Sequence, residues 1–357
     1  MNHVSGKVKF MNSYTRTMAA IHGEAYDRTP VIPLIIQHAL HIAQIPHRLY
    51  SSDGAQMAAA QLFALQKYGL DGLHITTDNQ IIAEVLGCDI FLPVDEPPQY
   101  RKRILQDNPD LGQLRRDFDP KSAGRMPVVL KAAAICREAL REDYFIKVNC
   151  DSGPFSIAAA LRGEENFFMD LYDNEQYAYD LLQICTAAVI KYARAIAVSG
   201  AHAVTFGDST AGLIGRKMYQ KFALPFAKEL IAAVQAAGLP VFMHICGDSR
   251  EIVDLMAASE ADVLEVDTVI DLATAYQKTG HQICLEGNVH PTKVLLQGTV
   301  EGVYQASLQC IDSSHGKLLI LSSGCEVPRF TPGENIQAMV KAAGDYPYSY
   351  HNMKGDS

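Results

Sequence analysis

Short apolar runs recur along the chain, each ending in polar or glycine residues and each followed by a stretch with apolar positions at helical spacing. The runs are VIPLII (31–36), GLHIT (72–76), FIKVNC (145–150), HAVTFGD (202–208), VFMHICG (241–247), VLEVD (263–267), QICLEG (282–287) and LLILSSGC (318–325). They are continuously apolar rather than alternating, which predicts strands buried on both faces, as in parallel sheets. Between them, helices are predicted over 58–69 (ending at Gly69), 177–200 (ending at Gly200), 217–238 (broken at Pro225), 249–259 (starting at Ser249), 299–314 and 331–344. Eight alternations of strand and helix predict an α/β fold of the (β/α)8 TIM-barrel type, with an open doubly wound sheet as the alternative. Residues 1–30 are expected to form N-terminal helical segments covering the barrel bottom. Residues 88–144 are expected to be an insertion after the second strand, and 1–357 a single barrel domain.

Composition narrows the function classes. The 357 residues are 48% hydrophobic and 20% charged, enough apolar material for one large core. The net charge of −9, with no block of basic residues, argues against a nucleic-acid backbone as partner. The N-terminus lacks the apolar core of a secretory signal, and no run approaches the roughly 18 apolar residues of a membrane span. Most of the eight cysteines sit in apolar surroundings, which suits buried reduced thiols and a cytoplasmic location. Cys246 and Cys325 differ, since each lies in a glycine-flanked turn at a strand end.

In barrels of this kind chemistry sits at the carboxyl ends of the strands. Those ends carry Gln37 and His38, then Thr77 and Asp78, then Cys150, Asp151 and Ser152, then Asp208 and Ser209. They continue with His244 and Cys246, Glu265 and Asp267, Asn288 and His290, and finally Cys325 and Glu326. Asp151 and Asp208 each precede a helical stretch, so a helix-capping reading stands beside a chemical one. His244 and Cys246, two residues apart in a strand, face the same side. Cys325 ends another strand around the same mouth. Two cysteines and a histidine with a fourth position left open are the donor set of a catalytic zinc site. The alternative is a core histidine beside buried thiols.

The segments MHICGD (243–248), SSGCEVPRFTPGENI (322–336) and EGNVHP (286–291) resemble the uroporphyrinogen decarboxylase superfamily, and within it the corrinoid-dependent methyltransferases that act on coenzyme M. AAIHGEAYDRTPVIP (19–33), AEVLGCDI (83–90), GPFSIAAALRG (153–163) and FGDSTAG (206–212) fit the same group. The resemblance implies a (β/α)8 barrel and zinc held by His244, Cys246 and Cys325. It also implies methyl transfer between methylcobalamin or cob(I)alamin on a partner corrinoid protein and a small substrate, either a thiol acceptor such as coenzyme M or a methyl donor such as an aryl methyl ether. The corrinoid must come with a partner because no D-x-H-x-x-G cobalamin-binding run is present. Asp208 and His290 are the candidate catalytic groups; His38, Asp78, Asp151 and Glu326 are candidates for substrate binding. A decarboxylase-like lyase and a non-catalytic metal-binding carrier remain as alternatives. The lyase is disfavoured because QHALHIAQIP (37–46) lacks the arginine with which decarboxylases clamp a carboxylate-rich tetrapyrrole. His290 in GNVHP and SSGC in place of Pro-Gly-Cys depart from the coenzyme M enzymes and point to a different substrate pocket.

Overall fold

The apolar runs become strands because only a fully hydrogen-bonded sheet lets so much backbone be buried. A computed structural model describes residues 10–346, so residues 1–9 of the expected N-terminal cover lie outside the described residues. The strands are β1 (Gly72–Ile75), β2 (Asp89–Phe91), β3 (Gln99–Lys102), β4 (Phe145–Ser152), β5 (Ala203–Gly207), β6 (Val241–Ile245), β7 (Val263–Val266), β8 (Cys284–Val289) and β9 (Leu319–Ser323). Seven of them form one parallel sheet in the order β1-β4-β5-β6-β7-β8-β9, and β2 and β3 form a separate antiparallel hairpin.

The first apolar run closes the barrel without becoming a full strand. Pro30 and Pro33 carry no N–H, so the ladder there shrinks to a bridge between Val31 and Leu321. Ile32 N–H donates to Leu321 O (3.0 Å), Leu321 N–H to Pro30 O (2.9 Å), and on the other side Asp71 N–H to Val31 O (3.0 Å). All eight predicted runs therefore lie around one ring. Within 88–144 stand the β2–β3 hairpin, a 3-10 turn at Leu111–Gln113 and the helix Met126–Leu140. That helix packs on the helix Gly54–Tyr68 and on β1 and β4, as a barrel's own connecting helix does. Pro225 marks a break as expected: a π turn at Tyr219–Ala223 separates Gly215–Met218 from Leu224–Gln235.

Inward-facing residues at every second strand position stack in layers. The lowest layer is apolar: Ile32, Phe145, Ala203, Phe242, Val263, Cys284 and Ile320 cluster with Ala19, Ala20 and Ile21 of the helix Ser13–His22, which plugs the barrel bottom. Buried Arg16 anchors that plug, pairing with Asp27 at 2.6 Å and with Asp71 at 2.7 Å. The next layer up is polar. Buried Lys147 donates to Glu265 (2.8 Å) and to both oxygens of Glu286 (2.6 and 2.7 Å), and Thr205 Oγ1 donates to Glu265 at 3.1 Å. This layer is the floor on which the site stands. No helix among the described residues is long and apolar enough to cross a membrane.

Candidate metal centre

His244 is the last inward residue of β6, one position before its end, and Cys246 follows two residues later. Gly247 then turns the chain in the left-handed region (φ 82°), where a side chain would strain the backbone, and its N–H donates to Asp267 Oδ2 at 2.8 Å. After β9, Gly324 lets the chain approach Thr268 closely: a Cβ there would sit 2.4 Å from Thr268 Cγ2 and 2.9 Å from its backbone nitrogen. The two glycines explain why the cysteines lie in glycine-flanked turns, since each allows a sharp exit that aims the neighbouring sulfur inward.

The three side chains converge. The donor atoms of His244, Cys246 and Cys325 all lie within 4.8 Å of one another. The two sulfurs are 3.7 Å apart, and His244 Nε2 is 2.7 Å from Cys246 Sγ. His244 Nδ1 lies 3.1 Å from Glu265 O, so that nitrogen carries the proton and Nε2 offers its lone pair. The contact with Cys325 pulls the Cys246 thiol below its ordinary value, and Cys246 in turn pushes Cys325 up. Two cysteine sulfurs, which zinc deprotonates on binding, and a lone-pair nitrogen so arranged fit zinc. Tetrahedral zinc separates its two sulfurs by about 3.7–3.8 Å and a sulfur from a nitrogen by about 3.5 Å. The sulfurs already stand at that spacing, and His244 and Cys246 must part by somewhat under an ångström.

A cavity of about 320 Å³ opens beside the three donors, and His74, Gln80, Asn149, Glu265 and Glu326 are among its walls. The structure distributes the other sequence candidates unevenly. Asp78 and Glu326 line this cavity with His244, Cys246 and Cys325. Asp78 is clamped by Arg125, whose Nε also reaches Glu84 at 2.8 Å. Glu326 accepts from Gln37 N–H at 2.8 Å, and burial pushes its carboxyl up to about 7.

His38, Asp151, Asp208 and His290 do not line it. His38 follows Gln37 on a helix, where neighbours point about 100° apart; its ring instead meets Tyr68 Oη at 2.8 Å and Arg329 O at 3.1 Å. Asp151 accepts from Ile82 and Ser152 N–H groups, and burial pushes it up to about 8. Asp208 accepts from Ser156 N–H (2.7 Å) at the start of the helix Pro154–Arg162, and burial pushes it up to about 6. His290 Nδ1 accepts from Thr292 and Lys293 N–H groups, each at 3.3 Å. Three of these four thus hold the starts of helical turns: His290 the turn that follows it, but Asp151 and Asp208 the helices Ile81–Leu86 and Pro154–Arg162, which precede them in the chain, rather than the following stretches that the sequence suggested.

Sequence reasoning missed His74, Lys147 and Glu286. The signal was present: each is a polar residue in the middle of an otherwise apolar run, an expensive position unless it faces a partner or a cavity.

The fold and site define a class: a (β/α)8 barrel with two cysteines and one histidine gathered at the carboxyl end of its strands. Residues 12–346 match the uroporphyrinogen decarboxylase (URO-D) family, and the chain belongs to it. The methylcobamide:CoM methyltransferase MtbA of Methanosarcina mazei is 30% identical over 301 residues, covering 83% of this chain and 86% of that protein. The methylated-thiol–coenzyme M methyltransferase of the same organism is 26% identical over 347 residues, 95% of this chain and 91% of that one. A solved methyltransferase structure from Methanosarcina mazei superposes with a TM-score of 0.86 at 25% identity, covering 93% of this chain and 98% of that one.

Proposed function

We propose that this chain is a zinc-dependent methyltransferase that moves a methyl group between a corrinoid carried by a partner protein and a small substrate seated in the cavity beside His244, Cys246 and Cys325. The observation that carries this reading is the convergence of those three donors within 4.8 Å at the barrel mouth. The relatives named above as corrinoid and thiol methyltransferases support the same reading. Zinc bound there supplies Lewis acidity, which holds a thiol as its thiolate at neutral pH or polarises the heteroatom that bears a methyl group.

The protein's own residues set the geometry of that chemistry. Glu265 O fixes the His244 tautomer, and Lys147 beneath it fixes Glu265. Arg125 keeps Asp78 in place on the cavity wall. The cavity opens at the strand ends, the face from which a corrinoid can approach. A cytoplasmic setting fits the eight cysteines, all of which are free thiols. A lyase acting on a carboxylate-rich tetrapyrrole is less well supported: 37–46 carries no arginine and supplies instead the helix Gln37–Ile42.

Mixing the zinc-loaded protein with methyl-Co(III) corrinoid and thiols, or with Co(I) corrinoid and methyl ethers, tests the proposal. A change from one corrinoid spectrum to the other that requires both zinc and the small substrate is the expected result. Full activity of the metal-free protein rejects it.

A further inference from the structure

The charges around the cavity do not suit an anionic substrate. Its walls include the carboxyl groups of Asp78, Glu265 and Glu326, and among the described residues no lysine or arginine lines it. The two nearest buried cations are each shared by two carboxylates. Lys147, under the floor, is held by Glu265 and Glu286, and Arg125, behind the wall, by Asp78 and Glu84. Neither has a free charge to offer an incoming anion. Arg329, on the loop after Cys325, lines a different cavity with Lys67 and His41 and donates to Asp95 O. Zinc supplies a positive centre for the reacting heteroatom alone, so a further anionic group brought into the site would be desolvated with no counter-charge of its own.

Two wall groups show what the cavity does want. Gln80 Nε2 donates to Pro98 O at 2.8 Å, which fixes the amide and leaves Oε1 buried with no partner. A lone amide oxygen asks for a hydrogen-bond donor; a sulfonate or carboxylate has none to give, whereas a hydroxyl, amide or ammonium has. His74, only 4% exposed at an inward position of β1, has no partner on either ring nitrogen. Burial holds that ring neutral by lowering it to about 3, so it presents one donor and one acceptor rather than a cation.

We infer that the small substrate of this site carries no anionic group besides its reacting heteroatom, and that its polar tail is an uncharged or cationic hydrogen-bond donor received by Gln80 and His74. The inference rests on the methyltransferase reading and narrows it. It sets this chain apart from enzymes whose thiol carries a sulfonate, as coenzyme M does.

Calorimetric titration of the zinc-loaded protein at one pH with four thiols of similar size tests it: 2-mercaptoethanol, 2-aminoethanethiol, 2-mercaptoethanesulfonate and 3-mercaptopropionate. The expected result is that the first two bind at least tenfold more tightly than the last two. In Gln80→Met and His74→Leu, taken separately, 2-mercaptoethanol should fall toward the affinity of ethanethiol. Equal or tighter binding of the sulfonate or carboxylate overturns the inference while leaving methyl transfer standing. If none of the thiols binds the zinc-loaded protein, the thiol-acceptor form of the methyltransferase reading is overturned, and the inference falls with it.

Discussion

The sulfurs of Cys246 and Cys325 lie 3.7 Å apart although 79 residues separate them in the chain. One follows β6 and the other follows β9, with two strands between them in the sheet. Sulfurs this close match the spacing that tetrahedral zinc imposes, about 3.7–3.8 Å. The spacing is built by backbone: the left-handed turn at Gly247 and the bare Cα of Gly324 against Thr268. Replacing Gly324 by alanine should displace Cys325 and weaken zinc binding with little loss of secondary structure, as read by a competing zinc chelator and circular dichroism.

The polar floor is expected to be costly to break from one side. Lys147→Met leaves Glu265 and Glu286 buried together with no counter-charge, and the expected loss is about 3–5 kcal/mol in urea unfolding. Lys147→Met combined with Glu286→Gln should lose less than the sum of the two single changes, because the second removes a charge the first left unpaired.

Asp208 is expected to act on the helix Pro154–Arg162 rather than on substrate. A Cβ at Gly153 would lie 2.5 Å from Asp208 Cγ, so Gly153→Ala should cost about 1–3 kcal/mol through overpacking. In an Asp208→Gly background, which removes both Asp208 Cγ and the Asp208 Cβ that would lie 2.6 Å away, the same change should cost much less. Equal costs in both backgrounds, measured by thermal unfolding, would show that the two side chains do not press on one another.

Burial raises the Asp151 carboxyl from 3.8 to about 8. Between those values the folded chain holds a proton that the unfolded chain has lost, so its contribution to stability is full below pH 4 and declines as pH rises toward 8. Each pH unit in that window is worth up to about 1.4 kcal/mol per proton. Asp151→Asn has no such proton, and asparagine tolerates the positive φ of 87° at this position. Its stability relative to wild type should therefore improve steadily from pH 5 to pH 8 in denaturant titrations. A difference that stays constant with pH would contradict the raised carboxyl.

Much of this was legible in the sequence, for identifiable reasons. The barrel was legible because each strand is a continuous apolar run, and the convergence of His244, Cys246 and Cys325 because H-x-C and G-C stand out at strand ends. The first run was misleading in length: VIPLII has the composition of a strand, but its flanking prolines leave a single bridge at Val31. His38 was chosen for its position after that run, yet the chain is already helical there, and Gln37 takes the inward direction. Asp151, Asp208 and His290 show the general difficulty. The carboxyl end of a strand lies among the starts of its own and neighbouring helices, so residues there can face either the cavity or free helical N–H groups; His290 takes those of the turn after it, Asp151 and Asp208 those of helices earlier in the chain. His74, Lys147 and Glu286 were hidden because one polar residue inside an apolar run reveals its purpose only when the neighbouring strands are placed beside it.

The central claim is that His244, Cys246 and Cys325 together bind one zinc ion. Its most direct test is zinc content and X-ray absorption on the purified protein and on Cys325→Ser. About one zinc per chain is expected, with two sulfurs and one imidazole nitrogen from the protein in its shell. In Cys325→Ser the expected affinity is weaker by at least about 100-fold, since even outer partners of metal ligands are worth about 10–100-fold. Undiminished zinc affinity in the Cys325→Ser protein, or a wild-type shell with fewer than two sulfurs, would contradict the claim.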